Sequence, residues 1–133
     1  MKLIAEKHFE EAKFSLYFLA TPSQLPSGVE LPEPTSGEAF ELMKTLFHPV
    51  IELTHNHGTE DDPAFCYHNG NTEPRGFGHV GFLVDDVYAA CEHLEKNGVS
   101  FQKKPDDGKM KGLAFALDPD NYWVEIIPRG FTI

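Results

Sequence analysis

Three groups in this chain are of a type and placement that could do chemistry: Glu52, His79 and Glu125. His79 ends the run Arg75-Gly-Phe-Gly-His and opens Val80-Gly-Phe-Leu-Val84, an apolar stretch that reads as a buried strand. Glycine lets a backbone turn tightly and lie close to a neighbour. A histidine at a strand start is held rigidly, as a metal ligand or proton carrier must be, although the same placement suits a hydrogen-bonded core histidine. Glu125 belongs to Trp123-Val-Glu-Ile-Ile127, where strand alternation sets it on one face with Trp123 and Ile127. A carboxylate between two large apolar side chains must be paired, coordinated or protonated, because an isolated buried charge is very costly. Glu52 shares a strand face with Thr54 and Asn56, and such a polar wall serves equally as a solvated surface. One nitrogen and two oxygens on rigid strands suit Zn2+, Ni2+, Co2+ or Mn2+ with coordination positions left open.

A second signal is a contrast of charge. Lys103, Lys104, Lys109 and Lys111 crowd together in a chain with a net charge of -10. A charge run reads as a solvated loop, or as an anion-binding flap in which Gly108 and Gly112 permit motion and Lys109 and Met110 lie over a small ligand.

Strands must position these groups. Residues 2–6 and 13–20 read as strands joined by a short polar link, with Phe14, Leu16 and Phe18 on one face. Prolines at 22, 26, 32 and 34 make the next stretch a loop. Thr35-Ser-Gly-Glu38 has capping-box spacing, and Phe40, Met43 and Phe47 follow at helical intervals. The strand over 50–56 places Ile51, Leu53 and His55 on a core face, with Glu52, Thr54 and Asn56 opposite. Residues 57–76 are rich in Gly, Asn, Asp and Pro and read as a connection between two halves. The second half predicts a strand over 78–84, then a helix capped by Asp85 or Asp86 and stopped by Gly98, with Val87, Ala90, Cys91 and Leu94 inward. Strands over 99–102, 113–117 and 123–127 complete a βαβββ unit. The first half shows only the later strands of that plan, with an inserted loop and helix over 21–48.

Composition narrows the function classes. The 133 residues, 41% of them apolar, support one domain with a real core. The acidic balance argues against nucleic acid, whose phosphates need a broad basic face. No apolar run is long enough to span a membrane, and the two cysteines suggest no disulfide framework, which together predict a cytoplasmic protein.

The stretches Ile51-Glu-Leu-Thr-His-Asn56, Pro74-Arg-Gly-Phe-Gly-His79, Lys103–Gly112 and Asp118-Pro-Asp-Asn-Tyr-Trp-Val-Glu-Ile126 occur in the order and spacing of glyoxalase I. In them the chain resembles that family, of the vicinal-oxygen-chelate superfamily. The resemblance implies an α+β fold of βαβββ modules, the first incomplete and the second complete. It covers one domain over 1–133, divided into a partial module at 1–56, a connection at 57–76 and a full module at 77–133. It implies Glu52, His79 and Glu125 as metal ligands, with Zn2+ first among the cations, and Glu125 as the proton shuttle. Asn56 and Arg75 would contact glutathione, the co-substrate, and His79, Lys103, Lys109 and Met110 would line the substrate. The reaction implied is isomerisation of the methylglyoxal–glutathione hemithioacetal to S-D-lactoylglutathione through a metal-bound enediolate. The implied assembly is a homodimer with the site at its interface. Glyoxalase I chains carry a first metal ligand and another arginine on a strand and helix that have no counterpart here. A glutathione-binding or anion-binding module without catalysis is therefore the alternative expectation. A ring-cleaving dioxygenase on the same fold would want two histidines and one carboxylate, whereas this set has one and two.

Overall fold

Apolar residues at alternate positions, broken by polar turns, are laid into two sheets. The computed structural model describes residues 1–28 and 30–132. The chain divides into two compact units, Met1–Phe65 and Cys66–Ile133.

In the first unit β1 (Lys2–Phe9), β2 (Phe14–Ala20) and β3 (Ile51–Asn56) pair antiparallel in that order. β1 runs on to Phe9, past the predicted end at Glu6, because the turn sits later, where Lys13 takes a φ of 55°. Phe18 and Ala20 are buried with Ile4, Ala5 and Ala39, and Leu16, Phe40 and Met43 pack around them. Ala39, Phe40 and Met43 belong to α1 (Gly37–Thr45), so α1 covers the Phe18 face of the sheet. The helix begins at Ser36, whose Oγ accepts the Ala39 N–H at 3.2 Å; the capping-box spacing had pointed to Thr35. It ends at an extended Leu46, which leaves Phe47, expected on the apolar stripe, 99% exposed. Leu53, expected in the core, is 53% exposed. Its partner across the ladder is Tyr17, which faces away from Phe18 and hence away from α1.

The second unit contains β4 (His79–Val84), α2 (Val87–Lys96), β5 (Phe101–Lys103), β6 (Ala114–Leu117) and β7 (Trp123–Pro128). The sheet order is β4-β7-β6-β5, with β4 parallel to β7 and the other pairs antiparallel. This is the complete βαβββ unit the sequence predicts, and the architecture is the α+β fold expected. Asp86 caps α2, its Oδ1 accepting the N–H of Tyr88 at 2.8 Å and of Ala89 at 3.0 Å. Gly98 follows the helix with a φ of 80°, a conformation glycine adopts without strain. Val87 and Cys91 bury against Ala114 and Ile126, and burial pushes the Cys91 thiol above its ordinary range.

Ile126 is 5% exposed beneath α2, so Ile126→Ala is expected to destabilise the fold by about 2–5 kcal/mol through lost burial and a residual cavity. Leu53→Ala, at a half-exposed position, should cost about 1 kcal/mol or less. Urea unfolding of the two variants beside the parent measures the contrast.

Candidate functional site

The parallel ladder of β4 on β7 decides what faces the open side of the second sheet. His79 pairs with Trp123, Gly81 with Glu125 and Leu83 with Ile127. From the other flank Phe115 pairs with Glu125 and Leu117 with Trp123. Because side chains alternate, all eight residues share the face opposite α2. His79 Nε2 lies 3.5 Å from Glu125 Oε2, with the His79 side chain 43% and the Glu125 side chain 17% exposed. Phe115 stands edge-on to the His79 ring at 5.5 Å and packs on Trp123 at 5.1 Å. Gly81 leaves room beside the carboxylate, since a Cβ there would sit 3.5 Å from Glu125 Oε2. The result is an aromatic floor carrying one acid and one imidazole side by side.

Arg75 is presented by a loop that folds on itself just before β4. Gly70 donates to Phe77 O at 2.9 Å, and Gly76 donates to Gly70 O at 3.1 Å. The backbones approach so closely that a Cβ on Gly70 would lie 2.2 Å from the Gly76 carbonyl carbon. Asn71 ties the loop to the strand start, its Nδ2 donating to Gly78 O at 2.7 Å. Arg75 donates from Nη1 to Asn71 O at 2.5 Å and from Nε to Glu73 at 2.8 Å, so part of its guanidinium is already engaged. Gly70, Asn71 and Phe115 were not singled out from the sequence. The Asn69-Gly-Asn71 turn signal was available for the first two, and strand parity for the third.

The lysine-rich loop is mostly self-paired. Lys103 Nζ donates to Leu113 O at 2.7 Å and to Lys104 O at 3.2 Å. Lys104 pairs with Glu95 of α2, which raises its pKa, and Lys111 donates to Asp106 O. Tyr88 of α2 donates to Asp106 at 2.9 Å, and that carboxylate raises the Tyr88 pKa. Only Lys109 of the four has no such partner among the described residues, beside Met110, which is 50% exposed. A flap of four free cations is thus reduced to one.

In the first unit Glu52 and Asn56 lie exposed on β3, where Glu52 pairs across the ladder with Phe18 and Asn56 with Phe14. Beyond that strand Glu60 accepts from Gly58 N–H at 2.9 Å and meets His55 Nε2 at 2.9 Å. Its own backbone amide and then the His55 ring hold the Glu60 carboxyl down at about 2.

The expectation of a divalent cation held by Glu52, His79 and Glu125 is corrected here. Among the described residues no group of three or more His, Cys, Asp or Glu is placed to hold a metal ion. His79 and Glu125 come together because parallel pairing brings their strands side by side; Glu52 is on another sheet. Zn2+, Ni2+, Co2+ and Mn2+ therefore lack the donor set they were expected to find. The metal-dependent enediolate isomerisation built on that set falls with it.

Comparison with known proteins supplies the remaining observations. Residues 45–126 match the family described as Glyoxalase/Bleomycin resistance protein/Dioxygenase superfamily. A lactoylglutathione lyase of Pseudomonas putida is 52% identical over 128 residues, covering 95% of this chain and 69% of that protein. A glyoxalase I of Saccharomyces cerevisiae is 49% identical over 128 residues, covering 96% of this chain and 37% of that one. Among solved structures, glyoxalase I from Zea mays superposes with a TM-score of 0.62 at 27% identity, over 98% of this chain and 37% of that chain.

Gly70→Ala is expected to cost about 1–3 kcal/mol by forcing the Arg75 loop apart. Gly81→Ala, meeting only ordinary contacts, should stay within about 0.5 kcal/mol of the parent; thermal unfolding compares the two. For Glu60 the folded pKa lies near 2 against 4.5 ordinarily. Its contribution to stability is therefore complete above about 4.5 and disappears as pH falls through 2. His55→Ala should raise the Glu60 midpoint without fully restoring it, because the backbone donors remain; carboxyl NMR titration reads the shift.

Proposed function

We propose, from the premise that this chain belongs to the glyoxalase I (lactoylglutathione lyase) family of the vicinal-oxygen-chelate superfamily, that it acts as a module binding glutathione-type thiol conjugates without catalysing their metal-dependent isomerisation. The observation that carries this reading is the incomplete donor set. His79 and Glu125 stand 3.5 Å apart with no third metal-binding side chain gathered to them among the described residues.

Glutathione offers two carboxylates and a thiol substituent, and the second unit has matching chemistry. Arg75 keeps Nη2 without a partner among the described residues, and Lys109 keeps its whole ammonium. A guanidinium and an ammonium are the usual partners of carboxylates. Met110 and the Phe115–Trp123 face suit the apolar substituent on sulfur. Lys103, with its ammonium on backbone carbonyls, is assigned contact through its alkyl stem. His79 and Glu125 would hydrogen-bond the polar group next to sulfur. Asn56 is assigned a glutathione contact on the family resemblance alone.

A homodimer belongs to the same reading. It is supported by the exposed Val80 and Leu83 on β4, which is an edge strand among the described residues. A cytoplasmic location is consistent with a chain in which no described helix is long and apolar enough to cross a membrane.

Calorimetry with an S-alkylglutathione, run beside a thioester-absorbance assay with methylglyoxal and glutathione, tests the proposal. Saturable heat is expected, with no thioester formed above background with or without added Zn2+. Arg75→Ala and Lys109→Ala should each weaken binding about tenfold, or about 1.4 kcal/mol. Absence of binding heat would remove the module, and Zn2+-dependent thioester formation would remove its non-catalytic character.

A further inference from the structure

The first unit contains a group of buried and half-buried polar side chains that none of the chemistry above uses. Ser15, in the middle strand, is 1% exposed. Its Oγ lies 2.7 Å from His8 Nδ1 on one side and 2.7 Å from His57 Nε2 on the other. The register explains the first contact, since His8 and Ser15 are direct partners across β1 and β2. The second is made by the turn after β3, which is tied back to the hairpin by His57 N–H donating to Lys13 O at 2.9 Å.

A serine hydroxyl has one hydrogen to donate and lone pairs to accept. Between two imidazoles it must donate to one ring nitrogen and accept from the other, so the tautomer of one ring dictates that of the other. One added proton is accommodated: a doubly protonated ring donates to Ser15 Oγ, while the hydroxyl donates to the neutral ring. A second added proton is not. Both rings would then donate to Oγ, and the hydroxyl hydrogen, shut away from water, would have no acceptor. Two cations would also face each other across a single oxygen, and unsatisfied buried donors and unscreened like charges are both costly.

The surroundings decide which ring is protonated first. Glu6, on β1, lies 3.6 Å from His8 Nε2 and favours a proton there. Tyr17, on β2, meets the His8 ring edge-on at 6.2 Å and adds no charge. His57 instead faces His55 of β3, with ring centres 5.3 Å apart, and His55 is itself held by Glu60 at 2.9 Å. A cationic His55 opposes a charge on His57.

We propose that Ser15 makes His8 and His57 a proton-counting lock: the bridge holds with no added proton or one, residing on His8, and opens when His57 takes the second. On opening, the His57 ring leaves Ser15, and the turn that joins it to Lys13 loosens at the hairpin end. The step is the uptake of one proton from water onto the His57 ring, with the Ser15–His57 hydrogen bond lost, the His57 N–H to Lys13 O bond opened and no covalent bond broken in the chain. The folded state resists the second proton and the unfolded chain does not.

The test is an NMR pH titration of the two imidazoles, read together with hydrogen exchange of the His57 amide. In the parent, the ring signals of His8 and His57 should each move in two shared steps. Protection of the His57 amide should be lost with the lower step. Ser15→Ala should bring the two steps closer together and uncouple amide protection from them. Should Ser15→Ala not fold, His8→Asn and His57→Gln serve instead: the remaining ring should then titrate in one step, and in His8→Asn at higher pH than the parent's second step. Independent single-step curves for the two rings in the parent, or a step separation unchanged in Ser15→Ala, would overturn the lock.

Discussion

The parallel pairing of β4 with β7 is the constraint on which the open face of the second unit depends. Register fixes Gly81 opposite Glu125 and His79 opposite Trp123. A slip of one residue would turn Glu125 toward α2 and put Ile126 in its place, because side chains alternate with a period of two. That slip is opposed by burial on the other side, where Ile126 and Ala114 pack under Val87 and Cys91. The apolar contacts beneath the sheet thus hold the polar pair above it in place. Gly81 matters in the same geometry, since a bulky side chain there would fill the space beside the Glu125 carboxylate.

The second unit was largely legible in the sequence because its signals are local and agree with one another. The Asp86 cap, the Val87/Cys91 stripe, the Gly98 stop and the alternation around Glu125 each point to the element observed. The less legible features are those set by tertiary partners. Leu53 has the parity of a core residue, but α1 packs on the other face of its sheet. Phe47 continues a helical spacing past the point where Leu46 turns extended. The four lysines of 103–111 look alike as letters, yet three find acceptors on neighbouring backbone or on α2, which no run of charges discloses. Convergence of Glu52 on the other two candidate ligands likewise depends on distant segments, and no local pattern in the sequence encodes it.

The carboxylates of the two sheets differ because of what flanks them. The run β1-β2-β3 repeats the antiparallel order of β5-β6-β7, and Glu52 sits opposite Phe18 as Glu125 sits opposite Phe115. In the second unit β4 flanks β7 and supplies His79 within reach of the acid. Among the described residues β3 has no strand on its outer side, and Glu52 remains exposed to solvent. Equivalent positions in a repeated plan are therefore chemically unequal: one carboxylate is partly desolvated beside an imidazole, and the other is free in water.

That inequality bears on what the Glu125 site can bind. The Glu125 side chain is 17% exposed, and the group facing its carboxylate is an imidazole at 3.5 Å, a distance long for a good hydrogen bond. A partly desolvated acceptor favours any donor that can approach from the open face, and the aromatic rings of Phe115 and Trp123 bar water from one flank while offering no hydrogen bond of their own. A ligand carrying a hydroxyl or N–H next to an apolar group meets both demands at once. A purely apolar ligand would cover the carboxylate without replacing the water it loses, so the acid disfavours such a ligand whatever the area of the floor.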